Sequence, residues 1–235
     1  MSRRAASPTS PGRAWLTPAQ RSGLSIGVAV GLYGLSFGAL SVAAGLDLLS
    51  TMALSALMFT GGSQFAYIGV ISGGGAPAAA VGAASLLGIR NCLYGVQLNA
   101  MLQPRGLMRP VMAHFTIDES MANATAQEDP GEQRRGFWAA GVAVFVFWNL
   151  ATLVGALAGE RIGDPKIYGL DGAALAAFLG LLWPRLRGRE PIAVAVACGA
   201  ATALVTPVLP PGLPIIVSAV VAAGMVLIRR RGGRG

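Results

Sequence analysis

Long apolar stretches separated by short charged segments dominate the pattern of hydrophobic and polar positions along this chain. Each apolar stretch has room for one or two helices of about 20 residues, the length that a helix needs to cross the hydrocarbon of a bilayer. The pattern therefore predicts an all-α protein, a polytopic transmembrane helical bundle. The charge-free stretches lie between Arg21 and Asp47, Asp47 and Arg90, Arg135 and Glu160, and Glu190 and Arg229.

Glycines, prolines and charges divide these stretches into about seven spans, each near the length that a bilayer requires. The spans form one transmembrane domain over residues 23–228. Residues 1–22 are rich in Arg, Ser and Pro and are predicted to be a disordered basic tail, and residues 229–235 a basic cytoplasmic tail. The predicted spans are residues 23–46, 48–72, 76–102, 137–159, 168–184 and two more within 191–228, on either side of the proline-rich turn at 206–214.

Arginine clusters set the expected orientation, because positively charged residues accumulate on the cytoplasmic side of membrane proteins. If the last four spans alternate, the clusters at 134–135, 185–189 and 229–231 lie on one side, and the C-terminus is cytoplasmic. Continued alternation would place the N-terminal arginines outside. We therefore expect at least one broken or re-entrant helix in the first half, at 60–64 or around Asp118; the alternative is that a short basic tail is translocated.

The composition supports a lipid environment and argues against most soluble functions. Of 235 residues, 54% are hydrophobic and only 12% are charged. The formal charge of +8 comes from arginines at the ends of apolar runs, a placement typical of lipid headgroup contacts rather than of nucleic-acid binding. The sequence contains no metal-ligand cluster, phosphate-binding loop or nucleophile motif. We expect no enzymatic activity, no metal and no cofactor.

Arg90 is the most informative polar residue, because it lies in the middle of the third predicted span. A guanidinium near the bilayer centre costs at least about 2.5 kcal/mol, so it must face water or an anionic partner. Its planar fork suits a substrate carboxylate, and its neighbour Asn91 belongs to the same candidate substrate site. The alternative is a structural ion pair with Asp118 or Glu119.

A glycine break in the second predicted span forms another part of the candidate substrate site. The stretch FTGGSQF at residues 59–65 places Ser63 and Gln64 beside two helix-breaking glycines. In transporters, such breaks expose half-helix N-termini and free carbonyl groups to a substrate near the membrane midplane. Close packing of helices through small residues is the alternative.

Asp118 and Glu119 complete the candidate site, since a carboxylate at membrane depth can bind an ammonium group or carry a proton. At the membrane surface they would instead be ordinary solvated acids. Histidine is the side chain that changes charge near neutral pH, so His114 suits a proton relay; an interfacial position is the alternative. We expect Arg90 to reach both Gln64 and one of these carboxylates, so that all of them line one polar cavity.

Two other groups of residues are assigned to packing. Trp138, Trp148 and Trp183 are interpreted as membrane-interface anchors or packing residues. Small residues recur at spacings of three and four in the first span, which lets helix backbones approach closely. Such glycine faces exceed what the predicted spans need to pack internally, so we expect the chain to need a small partner subunit. The glycine face of the first span consists of Gly27, Gly31, Gly34 and Gly38.

Five short motifs occur in order between residues 24 and 185. They are GLYGLSFG (31–38) with AGL (44–46), MFTGGSQFA (58–66), RNCLYGVQL (90–98), TIDES (116–120), and GLD (169–171) with AFL (177–179). In this order and spacing they resemble the AzlC-type permeases, the large subunits of bacterial branched-chain amino-acid exporters. Gly88, Asn91 and Ile117 depart from the family pattern, at positions where we expect contact with substrate.

The resemblance implies a secondary transporter in the bacterial inner membrane that exports leucine, isoleucine, valine and related amino acids by alternating access, driven by a membrane gradient. It also implies a small hydrophobic AzlD-type partner subunit. The candidate site suits such a substrate, because an aliphatic zwitterion needs a cationic group, an anionic or carbonyl group and an apolar pocket, here formed by Met58, Phe59 and Phe65. The alternatives are a non-transporting scaffold subunit and a channel.

Overall fold

The computed structural model describes residues 15–162 and 186–232, with isolated positions between them at 167, 169, 172, 179, 182 and 183. Within this part of the chain the regular elements are all helices, which confirms the all-α prediction. The predicted span at 168–184 and the motif at 169–179 lie largely outside the described residues. The helices are α1 (Pro18–Gly31), α2 (Tyr33–Ala43), α3 (Leu48–Leu57), α4 (Gly62–Ser72), α5 (Pro77–Leu102), α6 (Met108–His114), α7 (Asp118–Thr125), α8 (Pro130–Ile162), α9 (Arg189–Val205) and α10 (Leu213–Gly232).

Three helical segments of the described chain are long and apolar enough to cross a membrane. α1 and α2 act as one span, because Leu32 between them keeps a right-handed helical backbone. Beside these spans α9 and α10 form an antiparallel pair, in which Glu190 pairs with Arg229 at the two far ends. The three long segments are Pro18–Ala43, Pro77–Leu102 and Pro130–Arg161.

Both predicted tails are shorter than expected, because the helices extend into them. α1 begins at Pro18, where Thr17 and Gln20 form a capping box that satisfies two backbone N–H groups. Residues 18–22 are therefore helical rather than disordered. At the other end of the chain, α10 continues through Gly232, past the predicted boundary at residue 228.

A ladder of glycines packs the α1–α2 span directly against α8. A Cβ added to Gly23 would lie 2.6 Å from the Ala140 backbone nitrogen, and one added to Gly34 would lie 2.6 Å from the Trp148 carbonyl oxygen. The contacts advance together along both helices, so the two run parallel. The premise that this glycine face exceeds what the chain packs internally is wrong, because α8 covers it. The glycines of the ladder are Gly23, Gly27, Gly31, Gly34 and Gly38.

α3 and α4 enter the bundle and return to the end from which they came. α3 begins beside the end of α2, where the hydroxyl oxygens of Ser41 and Thr51 lie 2.8 Å apart. α4 packs antiparallel to α5. The start of α4 lies beside Gly88, near the middle of α5, and the end of α4 lies beside the start of α5. The helical conformation is interrupted at residues 58–61, between α3 and α4. The predicted span at 48–72 is therefore a re-entrant pair of half-helices rather than a crossing.

The orientation of α5 shows that the start of α3 and the end of α4 lie at the same end of the bundle. Arg134, in the first turns of α8, donates to the Leu102 carbonyl oxygen over 2.8 Å, so α5 ends where α8 begins. α5 therefore starts at the opposite end of the bundle, the end at which α2 finishes. The turn between α9 and α10 also lies there, because Pro211 packs beside Gly73 and Gly75, which follow α4.

α6 and α7 form a second re-entrant pair, which enters from the other end of the bundle. Met112 of α6 packs near the end of α5. Farther in, Ile117 packs against Val144 in the middle of α8. α7 then runs back outward, and Asn123 near its end donates to the Gly136 carbonyl oxygen over 2.9 Å, close to the start of α8.

The tips of the two pairs meet in the middle of the bundle, where the ring centroids of Phe59 and Phe115 are 6.2 Å apart. Both segments that the sequence indicated as broken are therefore broken, and the first of them does not cross. As a result, most of the arginines near the helix ends gather at one end of the bundle, here called the basic end, and the conflict over the N-terminal arginines disappears. Arg161, in the last turn of α8, lies at the opposite end. The basic end includes Arg21, Arg109, Arg134, Arg189 and Arg229.

Cysteine labelling should place both ends of the α3–α4 pair on the outer side of the membrane, opposite the basic end. Ser50 and Ser72 are exposed at these two ends. With the free cysteines Cys92 and Cys198 replaced by serine, a membrane-impermeant maleimide should label Ser50→Cys and Ser72→Cys in intact cells. Glu128→Cys, at the basic end, should be labelled only after permeabilisation. If only one of the two serine positions were labelled in intact cells, the α3–α4 segment would cross the membrane.

Candidate functional site

A cavity of about 200 Å³ lies where the tips of the two re-entrant pairs meet. Its walls are mainly apolar and aromatic, with a few charged and polar groups. This composition is typical of binding sites for small molecules. The lining residues are Val30 and Tyr33 of the first span, Phe59, Thr60, Gly61, Gly62 and Phe65 around the first break, Arg90 of α5, Ile117, Asp118 and Glu119 around the second break, and Val144 and Trp148 of α8.

Gly61 makes the break between α3 and α4, since its φ of +51° lies in the left-handed region that favours glycine. Gln64 ties the two half-helices together, because its side-chain amide donates to the carbonyl oxygens of Leu54 (2.9 Å) and Ser55 (3.2 Å) near the end of α3. Gln64 is fully buried and lies outside the cavity lining. It does not reach Arg90 across the cavity as the sequence predicted; its contacts fit a structural role.

A serine hydroxyl holds the break between α6 and α7. Ser120 accepts a hydrogen bond from the Ile117 backbone N–H (3.1 Å) and donates one to the Phe115 carbonyl oxygen (2.7 Å). α7 therefore starts at the cavity and carries Asp118 and Glu119 in its first turn. The helix dipole favours negative charge at this position.

An ion pair joins α5 and α7 at the cavity wall. Arg90 Nη2 lies 2.7 Å from Asp118 Oδ2, and the Tyr94 hydroxyl donates to Asp118 Oδ1 over 2.8 Å. Arg90 and Tyr94 are one helical turn apart, so both side chains face α7. The predicted pairing of Arg90 with a carboxylate is thus confirmed. The Asp118 side chain is only 11% exposed and that of Arg90 30%, which explains why each needs an opposite charge.

Several buried polar atoms around the cavity have no hydrogen-bond partner in the described part of the chain. Those on lining residues are Arg90 Nε, Thr60 Oγ1 and Trp148 Nε1. Buried polar groups without partners are uncommon, because each costs about 1–3 kcal/mol. Residues of the cavity wall therefore carry polar groups whose hydrogen-bonding capacity is unused within the described chain.

The other predicted site residues lie near the cavity without lining it. Ser63 is buried in the interface between α4 and α5, and Asn91 is half-buried on α5. His114 packs among aromatic rings, with its ring centroid 5.9 Å from that of Phe59 and 5.7 Å from that of Phe145. Of the residues predicted to bind substrate, those gathered at the cavity are Arg90, Asp118 and Glu119.

Two residues that shape the site were not among the site residues predicted from the sequence. Trp148, interpreted from the sequence as a packing or membrane-interface residue, is 4% exposed and lines the cavity while it packs on other aromatic rings. Tyr94 supports Asp118. A signal was present for Tyr94, because it follows Arg90 by one helical turn, whereas nothing in the sequence linked Trp148 to the candidate site residues. Which neighbour each residue meets depends on the tertiary fold.

Comparison with known proteins links the cavity-forming part of the chain to one family. The family model described as AzlC protein matches residues 25–162. No curated protein and no solved structure matches the chain. The matched region covers the second half of α1 and all of α2 to α8, so it contains every residue that lines the cavity.

Proposed function

Since this chain belongs to the AzlC family, which is associated with branched-chain amino-acid transport, we propose that it is a secondary transporter that exports branched-chain amino acids across a bacterial inner membrane. The observation that carries the proposal is the cavity between the two re-entrant pairs. It holds the Arg90–Asp118 ion pair between apolar walls, deep within the helical bundle.

The cavity suits a zwitterion with an aliphatic side chain. Asp118 and Glu119 offer negative charge for an ammonium group, while the start of α4 offers positive charge for a carboxylate. The guanidinium of Arg90 pairs with Asp118 at the same wall. The apolar and aromatic lining provides the surface that an aliphatic side chain needs. A charged side chain, as in glutamate or lysine, would meet the same apolar walls without a partner. Aliphatic amino acids are therefore the favoured substrates.

The two re-entrant pairs suit alternating access, because they reach the cavity from opposite ends of the bundle. The α3–α4 pair lies between the cavity and the outer end, and the α6–α7 pair lies between the cavity and the basic end. In the proposed cycle, movement of one pair opens the cavity to one side while the other pair stays in place. The substrate site itself remains near the middle of the membrane.

We assign coupling to a proton gradient to the carboxylates of α7. Glu119 lines the cavity next to the ion-paired Asp118. A proton on Glu119 would remove a negative charge that the substrate ammonium group otherwise meets, and would so link proton binding to substrate binding. His114 does not line the cavity, and we leave it out of the proposed proton path.

A small AzlD-type membrane subunit is also part of the proposal, on the basis of the family. The glycine ladder of the first span does not support it, because α8 covers those glycines. Among the described helices, the outward face of α5 is one surface available for such a subunit. This helix buries few of its side chains, and it exposes Ile89, Leu93 and Val96 toward lipid or a partner.

Membrane vesicles loaded with labelled leucine test this function. Vesicles that contain the chain and its small subunit should show saturable leucine efflux. A proton gradient should accelerate this efflux, and valine and isoleucine should compete with it. Labelled glutamate should leave these vesicles no faster than vesicles without the chain. Equal leucine efflux with and without the chain would contradict export, and non-saturable efflux of both amino acids would indicate a channel. Full export by the purified chain alone in liposomes would show that no partner is needed.

A further inference from the structure

We propose that the N-terminus of α4 and the indole N–H of Trp148 form the binding site for the carboxylate of the transported amino acid. This assignment rests on the proposed function and adds detail to it, because it says where the substrate carboxylate binds within the cavity. Arg90, in contrast, keeps Asp118 as its partner when substrate is bound.

The N-terminus of α4 opens into the cavity, since Gly61 and Gly62 are among the residues that line it. The first N–H groups of a helix have no partner within that helix, and no side chain caps this one. Together with the helix dipole, such groups attract an anion. A Cβ at Gly61 would lie 3.8 Å from the Trp148 ring, so the helix end and the indole are immediate neighbours.

Trp148 provides a second, independent observation. Its side chain is 4% exposed and lines the same cavity, yet its indole Nε1–H has no hydrogen-bond partner in the part of the chain that the structure describes. An indole can only donate, and a buried indole N–H usually finds an acceptor. Phe37 and Phe65 pack on the ring, each with its centroid 6.1 Å away, and so hold its orientation. A carboxylate, which only accepts hydrogen bonds, matches this donor.

Thr60 adds a hydroxyl group at the same place. It directly precedes Gly61, lines the cavity, and its Oγ1 is buried without a partner among the described residues. A carboxylate has two oxygens with several acceptor positions, so it can bind the helix N–H groups, the indole and this hydroxyl together. Thr60, Gly61, Gly62 and Trp148 all line the same cavity, and Thr60 and Gly61 directly precede α4.

Arg90 is the less suitable carboxylate ligand, because its guanidinium already binds Asp118 over 2.7 Å. Asp118 in turn accepts the Tyr94 hydroxyl, which adds to the hold on this carboxylate. A substrate carboxylate that displaced Asp118 would leave a half-buried acid without its countercharge. A carboxylate at α4 leaves the pair intact, and the substrate ammonium group then faces Asp118 and Glu119. The ligand class is therefore a small α-amino acid with a free carboxylate.

Binding of leucine and of leucinamide tests this assignment, because the amide lacks the negative carboxylate. Trp148→Phe keeps an aromatic ring but removes the N–H, and should weaken leucine binding by about tenfold or more while leucinamide binding changes little. Trp138→Phe is the matched control, since Trp138 lies on the same helix, packs on Phe115 and Phe137, and is not part of the cavity. It should leave the affinity for both ligands unchanged.

Thr60→Val is a second variant with little change of shape, for use if the indole substitution disturbs packing. It should lower the ratio of leucine affinity to leucinamide affinity in the same direction, by a smaller factor. If neither variant changes this ratio, or if both ligands weaken equally, the carboxylate site is wrong although the export function stands. A wild-type protein that binds neither ligand would overturn the proposed function as well.

Discussion

Replacing Arg90 by glutamine should nearly abolish transport and reduce the amount of folded protein. The change removes one partner of a largely shielded ion pair and leaves the Asp118 carboxylate without its countercharge, at a cost of about 2 kcal/mol or more. Asp118→Asn should act in the same direction, because it leaves the Arg90 guanidinium without its carboxylate partner. Leucine efflux from vesicles and thermal unfolding in detergent measure the two effects.

Two further variants separate the stability of the ion pair from its role in transport. The double variant Arg90→Gln with Asp118→Asn leaves no unpaired charge, so it should fold better than either single variant and still fail to transport. Arg90→Lys keeps the charge but loses the planar fork, and transport should fall by at least about tenfold with the folded protein retained.

The control for these variants is an ion pair outside the cavity. Arg135 and Glu132 lie 2.6 Å apart at the basic end, and the Arg135 side chain is 56% exposed. Arg135→Gln should change neither transport nor stability measurably, because exposed pairs contribute little. Normal transport by the double variant would contradict a role of the Arg90–Asp118 pair in the transport cycle.

A leucine at Gly34 should prevent the bundle from assembling. At this position even a Cβ would lie 2.6 Å from the Trp148 carbonyl oxygen and 3.2 Å from the Ala151 Cβ, so the first span would have to move away from α8. Overpacking of this kind costs about 3 kcal/mol or more, because a helix backbone cannot yield as a flexible side chain does. The fraction of monodisperse protein after detergent extraction, together with its unfolding temperature, measures the loss.

Gly82→Leu is the matched control, because it makes the same change in another long span where no atom lies within 4 Å of the added Cβ. It should yield folded protein in the normal amount, since leucine is also a better helix former than glycine. A loss for Gly82→Leu equal to that for Gly34→Leu would contradict the packing of the first span on α8. A loss of transport alone at Gly82 would instead indicate that α5 meets a partner there.

Part of the candidate site followed from the sequence, because charge in an apolar segment is costly wherever the segment folds. Arg90 needed an anion, and few acids other than Asp118 and Glu119 were available at similar depth. Gln64 illustrates the limit of this reasoning. Its polarity marked it as unusual, but polarity alone does not distinguish a substrate ligand from a side chain that closes a broken helix.

Trp148 and the glycine ladder show a similar limit. Helical spacing placed the glycines on one face and showed that this face packs closely, but spacing carries no information on which helix lies against it. The same spacing did not show that Trp148 lines a cavity and that its buried indole N–H is left without a partner among the described residues. Both facts depend on the parallel contact between the first span and α8, which joins residues far apart in the chain.

The sequence by itself determined that the chain is a membrane bundle of helices, and it indicated two candidate sites for a break and a carboxylate within reach of Arg90. These properties follow from local costs, such as a charge in hydrocarbon or a glycine within a helix, which hold in any fold. Only the tertiary structure decided that each broken segment turns back, that the two tips meet, and that the start of α4, Trp148 and the ion pair enclose one cavity. A glycine break allows a segment either to continue across the membrane with a kink or to turn back. Packing between helices that are distant in the chain decides which of these occurs.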